Sequence, residues 1–225
     1  MILQRLDALD SLRLGKRGIY ERFETEFVRA TLKAGQTFID VGAHIGYYTT
    51  LAASIVGPEG AVIAFEPEPG NFEILRENAA AVSAPVVLYP VALSDKDGMT
   101  QLYLSRKNSG DHRLFFSRKR EAIEVPMMRL DALPDLQGRR IDFLKVDVQG
   151  LETRVLAGAR ETILRSPRLH GIIEISPSIL ELAGSSKDEL LALMEELGLE
   201  YSKDRLALLE PGSHVNLTFA RRPAR

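Results

Sequence analysis

The 225-residue chain has no cysteine, no tryptophan and little net charge. Without cysteine there is no disulfide framework, no thiolate metal site and no cysteine nucleophile, a usage that suits a reducing compartment and makes a cytoplasmic location the expectation. A formal net charge of −2 gives no global pull on polyanions, so nucleic acid is not expected as a partner. The basic run "SRKR" at 117 to 120 reads as a solvated hairpin. Long apolar runs are lacking too: no stretch approaches the roughly 18 uncharged apolar residues that span a bilayer. The opening "MILQRLDALDSLRLGKRG" carries acids and bases every few positions, unlike the apolar core of a signal peptide. No membrane partner is expected. Internal repeats, low-complexity segments and long linkers are absent, and 45% hydrophobic content suffices for a substantial core. Residues 1–225 therefore read as a single domain.

What is present is an alternating pattern. Ile2, Leu6, Leu9 and Leu12 fall at helical spacing, "YERFETEFVRATLKAG" repeats that period, and Gly35 stops it, giving a helical N-terminal flank over 1–34. Then come "TFIDV" and a helix from about 46 to 56, "AVIAFE" and a helix from about 69 to 82, and "VVLYPVAL". Residues 98–130 change to short segments with polar turns, a β-rich insertion. The rhythm resumes with "IDFLKVDV", a helix from about 151 to 165, "LHGIIEIS" and a helix from about 186 to 197. "LEYSKD", "LALLE" and "HVNLTFA" suggest a closing antiparallel pair. This is the βαβ order of an α/β fold with a parallel sheet.

The chemistry concentrates in "FIDVGAHIGYYTT". A strand that ends in Asp-x-Gly and enters a helix lets backbone approach a ligand at the carboxyl edge of the sheet, because glycine has no Cβ. Gly42 and Gly46 give D-x-G-x-x-x-G, not the G-x-G-x-x-G that rests a pyrophosphate on a helix N-terminus. The Asp40 carboxylate would repel a phosphate yet suit an ammonium or a hydroxyl. "AVIAFEPEP" ends in Glu66, where an acid can accept both ribose hydroxyls or simply cap the helix beyond Pro67 and Pro69. Together these acids describe a pocket for a ribonucleoside that bears an amino group and no phosphate, the chemistry of S-adenosyl-L-methionine (SAM).

The segments "FIDVGAHIGYYT", "AFEPEPGNFEILRENA", "VALSDKDG", "LDAL" and "DFLKVDVQGLE" resemble, in this order, the FkbM-type family of SAM-dependent methyltransferases, over roughly residues 20 to 220. The resemblance implies a Rossmann-like class I methyltransferase sheet of seven strands, the last antiparallel, with helices on both faces. It implies SAM as cofactor and O-methylation of a small-molecule or sugar-containing hydroxyl acceptor. It also implies that Asp40, Gly42, Gly46 and Glu66, with Ala92 of "VALSDKDG", line the cofactor site. The chain departs from the family at His44, commonly asparagine, and at Gln149, often glutamate. His44 is expected near the amino-acid end of the cofactor, where it would make binding depend on pH, or in solvent.

Methyl transfer to an alcohol needs an aligned nucleophile and a base. "DFLKVDVQGLE" supplies Asp147 at a strand end and Glu152 at the start of the next helix. By resemblance Asp147 sits beside the transferred methyl and also borders the cofactor; otherwise the two acids cap the helix and pair with Lys145. Glu174 ends the next strand and either faces the acceptor or lies in solvent. No His-x-His or paired-Asp spacing calls for a metal, and none is expected. His112 in the insertion is a candidate for acceptor recognition or a surface residue. Of the tyrosines near the turn, Tyr48 reads as core, whereas Tyr20 and Tyr47 stay open. The rival readings are an NAD-dependent oxidoreductase and a non-catalytic SAM-binding module.

Overall fold

The structure is a computed structural model and describes residues 21–105, 108–136 and 138–222. The helix expected over 2–14 and Tyr20 lie outside the described residues. A first helix, α1 (Arg22–Thr31), precedes β1 (Thr37–Val41), α2 (Tyr47–Val56), β2 (Ala61–Phe65), α3 (Pro69–Ala79) and β3 (Val86–Tyr89). Next come β4 (Ala92–Leu93), β5 (Gly98–Leu104), β6 (Glu121–Met128) and β7 (Phe143–Val146). After β7 the chain forms α4 (Glu152–Gly158), α5 (Arg160–Arg165), β8 (His170–Ile175), α6 (Pro177–Leu182) and α7 (Lys187–Glu196). It closes through β9 (Leu199–Tyr201), α8 (Lys203–Leu206) and β10 (Val215–Arg221).

Seven strands form one sheet in the order β3-β2-β1-β7-β8-β10-β9. Neighbours are parallel except β10, which runs antiparallel to both β8 and β9. The order reverses between β1 and β7, and there the two strand ends leave a crevice at their carboxyl edge.

Side-chain alternation explains why helices cover both faces. Phe38 and Phe143 stack at 5.0 Å and join Tyr48, Leu51 and Val56 on the side of α1 and α2. Ile39, Val41, Leu144 and Val146 pack instead with Val155, Leu156, Ile163 and Leu190 from α4, α5 and α7. Two charged residues interrupt the first face, Asp40 and Lys145, opposite one another in the β1–β7 register. Both are buried.

Local signals account for several boundaries. Glu68 caps α3 by accepting from the Asn71 N–H at 2.6 Å, with Pro69 in the first turn. Ser186 caps α7 through the Glu189 N–H. Three expectations need correction. "VVLYPVAL" is not one strand: it divides at Pro90, with β3 in the main sheet and β4 in a three-stranded sheet ordered β4-β6-β5. The helix expected over 151–165 breaks at Ala159, because Asp131 accepts from the N–H groups of Glu161 and Thr162 and so starts α5 as a separate helix. "LALLE" contributes no strand. Among the described residues, no helix is long and apolar enough to cross a membrane.

Candidate active site

A cavity of about 420 Å³ opens over the carboxyl ends of β1, β2, β7 and β8 and is roofed by the loop between β5 and β6. One end is built by the β1–α2 turn and Glu66. In that turn Gly42, His44 and Gly46 all have positive φ, at 79°, 53° and 89°. Histidine is among the side chains that enter the left-handed region more readily, as asparagine does.

The glycines are there for reasons the sequence did not show. A Cβ on Gly42 would lie 1.9 Å from the backbone oxygen of Asp147, so its missing side chain lets the β1 and β7 turns touch. A Cβ on Gly46 would meet Leu75 Cδ1 at 2.7 Å, and Gly46 does not line the cavity. Asp40 does not line it either. It is fully buried beneath the turn, where Oδ2 accepts from Thr49 Oγ1 at 2.7 Å and Oδ1 has no partner. Burial raises its pKa, against the nearby Lys145 charge.

Gly42, His44, Glu66 and Ala92 do border the cavity. The Glu66 carboxylate accepts from the backbone N–H of His44 at 2.9 Å and of Glu68 at 3.0 Å. Burial pushes its pKa up to about 7, with those two N–H groups pulling the other way. The roof is latched to this end. Ser109 Oγ lies 2.9 Å from His44 Nε2, and the Ser109 carbonyl accepts from Asn71 Nδ2 at 3.0 Å. His112 is in the cavity wall rather than on an open surface; its Nδ1 accepts from the Ser105 N–H, and burial lowers its pKa.

The other end gathers acids around one lysine. Lys145 Nζ sits 3.3 Å from Asp147 Oδ2 and 5.0 Å from the centroid of the Tyr48 ring. Burial alone would lower the Lys145 pKa, but Asp147, Asp40 and Glu21 reverse this and hold the ammonium charged. Glu21 accepts from Tyr48 Oη at 2.8 Å. Gln149 Nε2 lies 3.2 Å from Asp147 Oδ1 and 3.0 Å from Glu174 Oε2, and His214 approaches Glu174 Oε1 at 3.8 Å. Burial, then Asp147 and Glu152, drive the Glu174 pKa well above the usual carboxylate range.

Asp147 and Glu174 thus meet in one cavity, whereas Glu152 is turned away from it. Its Oε1 accepts from the N–H groups of Val148 and Gly150 at 3.2 and 3.1 Å, Oε2 has no partner, and burial raises its pKa to about 7. The helix-start role weighed for Glu152 matches this geometry better than contact with a substrate. Among the described residues, no three His, Asp or Glu side chains are arranged to hold a metal ion.

Sequence reasoning missed Glu21, Ser109 and His214, and it treated Gln149 only as a departure from the family pattern. Lys145 carried a signal, as a lone charge inside an apolar strand. Glu21 and Ser109 carried none, because their partners are remote along the chain.

Residues 40–201 match the family model described as "Methyltransferase FkbM domain". "Methyltransferase sdnD" of Sordaria araneosa is 26% identical, over 78% of this chain and 78% of that protein. "31-O-demethyl-FK506 methyltransferase FkbM" of Streptomyces tacrolimicus is 27% identical, over 86% and 83%. Among solved structures, a TehB-like SAM-dependent methyltransferase from Corynebacterium glutamicum superposes with a TM-score of 0.52 at 11% identity, covering 96% of each chain. That likeness speaks to the fold.

Proposed function

We propose, from the premise that the chain belongs to the FkbM methyltransferase family, that it methylates a hydroxyl group of a small-molecule or sugar-containing acceptor. It is a SAM-dependent methyltransferase, so its methyl donor is SAM. The O-methyl assignment draws support from the Streptomyces tacrolimicus relative, whose name puts the missing methyl of its substrate on an oxygen.

The cavity residues fit the donor. Glu66 is a buried acceptor suited to a pair of ribose hydroxyls, and the acid-rich far end disfavours a phosphate while suiting a cation. When bound, SAM supplies an electrophilic methyl on a sulfonium, which an oxygen can attack in line. Asp147 then has the role of base: it takes the proton of the attacking hydroxyl, and Lys145 steadies the carboxylate from its other oxygen. The roof loop, latched at Ser109 to His44 and Asn71, covers the Glu66 end of the cavity.

The observation that carries this reading is the pairing, in one cavity, of the buried acceptor Glu66 with the Asp147 and Glu174 pair. The test is incubation with SAM and a panel of hydroxylated metabolites and glycosides, with methylated products identified by mass spectrometry. Growth of an O-methyl product is expected. Methylation only of amines or carbons, or SAM binding without turnover across the panel, would overturn it.

A further inference from the structure

We propose that Gln149 is the positioning residue of the acceptor end: its amide holds Asp147 and Glu174 at one spacing, and its carbonyl accepts from a second donor of the acceptor, beside the hydroxyl to be methylated. The inference rests on the reading that a hydroxyl is methylated beside Asp147.

A primary amide has two N–H donors and one oxygen acceptor. Nε2 of Gln149 faces Asp147 Oδ1 at 3.2 Å and Glu174 Oε2 at 3.0 Å, so both donors are spent on the two acids. The side chain borders the cavity, and its remaining polar atom, Oε1, can accept only from a donor such as a hydroxyl. Asp147 is thereby gripped from two sides, Oδ1 by Gln149 and Oδ2 by Lys145 at 3.3 Å.

The backbone is built to present this one side chain. Gln149 has φ 53°, a left-handed conformation that costs a non-glycine residue free energy and persists where the surroundings impose it. Here they do so visibly. The single oxygen Oε1 of Glu152 accepts from the N–H groups of both neighbours, Val148 and Gly150, holding the Asp147–Val148 and Gln149–Gly150 peptides. Gly150 packs closely against α6, since a Cβ there would lie 2.8 Å from Ile179 Cγ2.

The clamp divides labour between two acids that would otherwise repel. Glu174 is faced by Asp147, Glu152 and Glu21, with Lys145 as the buried cation and His214 at the rim. Burial and these acidic neighbours raise the Glu174 pKa, while Asp147, held by Gln149 and Lys145, is left to act as base. In the transfer, a lone pair of the acceptor oxygen forms the new O–CH3 bond, the C–S bond breaks with its electrons passing to sulfur, and the hydroxyl proton goes to Asp147. Gln149 is unchanged by the step.

The test compares the full chain with Gln149→Leu, which is shorter and makes no hydrogen bonds, and Gln149→Met, which has similar length and no hydrogen bonds. Steady-state kinetics with the methylated acceptor should show kcat lowered roughly a hundredfold, the scale of a misplaced reacting group, with the Kd for SAM by calorimetry kept within about twofold. In parallel, 13C NMR of the Glu174 carboxyl should show its titration moving to higher pH in both variants, by loss of the Gln149 donor. A merely structural glutamine would lower the melting temperature and leave the Glu174 titration and the kcat-to-KM split alone. Folded variants with kcat near wild type, or with Glu174 unmoved, would overturn the inference. If the wild-type chain methylates no hydroxyl acceptor, the proposed function falls, and the Glu174 titration still decides whether Gln149 clamps the acids.

Discussion

Glu66 and Glu152 are two buried carboxyls with raised pKa values near 7 and opposite duties. One faces a cavity and the other braces a loop. A carboxyl raised from 4.5 binds its proton more tightly folded than unfolded, so stability is fullest below about 4.5 and falls as pH rises toward 7. Each group accounts for up to about 3 kcal/mol of that fall. Glu152→Gln keeps an oxygen for the Val148 and Gly150 N–H groups and removes the buried charge. Its urea-unfolding free energy should match or exceed wild type at pH 8 and slope less with pH. Glu152→Ala leaves two buried donors unpaired and should cost about 1–3 kcal/mol; equal stability for Ala and Gln would contradict the bracing role. For Glu66 the sign differs because a ligand is involved. Accepting two ribose hydroxyls requires the ionised form, so SAM affinity, measured by calorimetry, should weaken up to about tenfold per pH unit below 7. Glu66→Gln should bind SAM more weakly by about 1.5–3 kcal/mol, the range for hydrogen bonds to a charged group, and lose that pH dependence. Unchanged affinity would remove Glu66 from the cofactor site.

At the scale of elements, the turns between strand and helix decide the architecture. Gly42 joins two of them, since its φ of 79° and its contact with the Asp147 backbone oxygen leave no space for a side chain. Gly42→Ala would pay about 1–2 kcal/mol for a left-handed non-glycine residue and about 1–3 kcal/mol for overpacking. A drop of that combined size in unfolding free energy is expected, and SAM affinity should fall with it because the turn carries His44 and braces Glu66. A stable Ala variant that binds SAM normally would show that the two turns need not touch. Strands and turns of this kind were legible in the sequence, because an apolar run followed by Asp-x-Gly is a local signal. The break at Ala159 was not, since the capping acid, Asp131, comes from a distant 3₁₀ turn and leaves the helical period of 151–165 intact. The same holds within the site. Glu66 and Asp147 stood out as acids at strand ends, whereas the latch of Ser109 onto His44 and Asn71 joins segments that share no pattern. Asp40 was expected to line the cofactor pocket from its place at a strand end, but the packing of α2 buries it beneath the turn, off the cavity, with Thr49 and Lys145 as neighbours.

For the whole molecule, the family match makes a methyltransferase, and its sheet order brings the buried carboxyl Glu66 and the acids Asp147 and Glu174 to one cavity. The roof loop and the sheet edge close on the same space, so binding the cofactor should couple to global stability. At a SAM concentration of about 100 times Kd, unfolding should become harder by about 2.7 kcal/mol, seen as a rise in melting temperature that NAD does not produce. The central claim is narrower, that Asp147 takes the proton of a hydroxyl as it is methylated. The most direct measurement is single-turnover methyl transfer at saturating SAM with Asp147→Asn, a change that preserves shape and removes the carboxylate at that position. The account predicts a folded variant that, at SAM concentrations raised to saturate it, transfers methyl roughly 10² to 10⁴ times more slowly; transfer at a near-normal rate by that folded variant would contradict it.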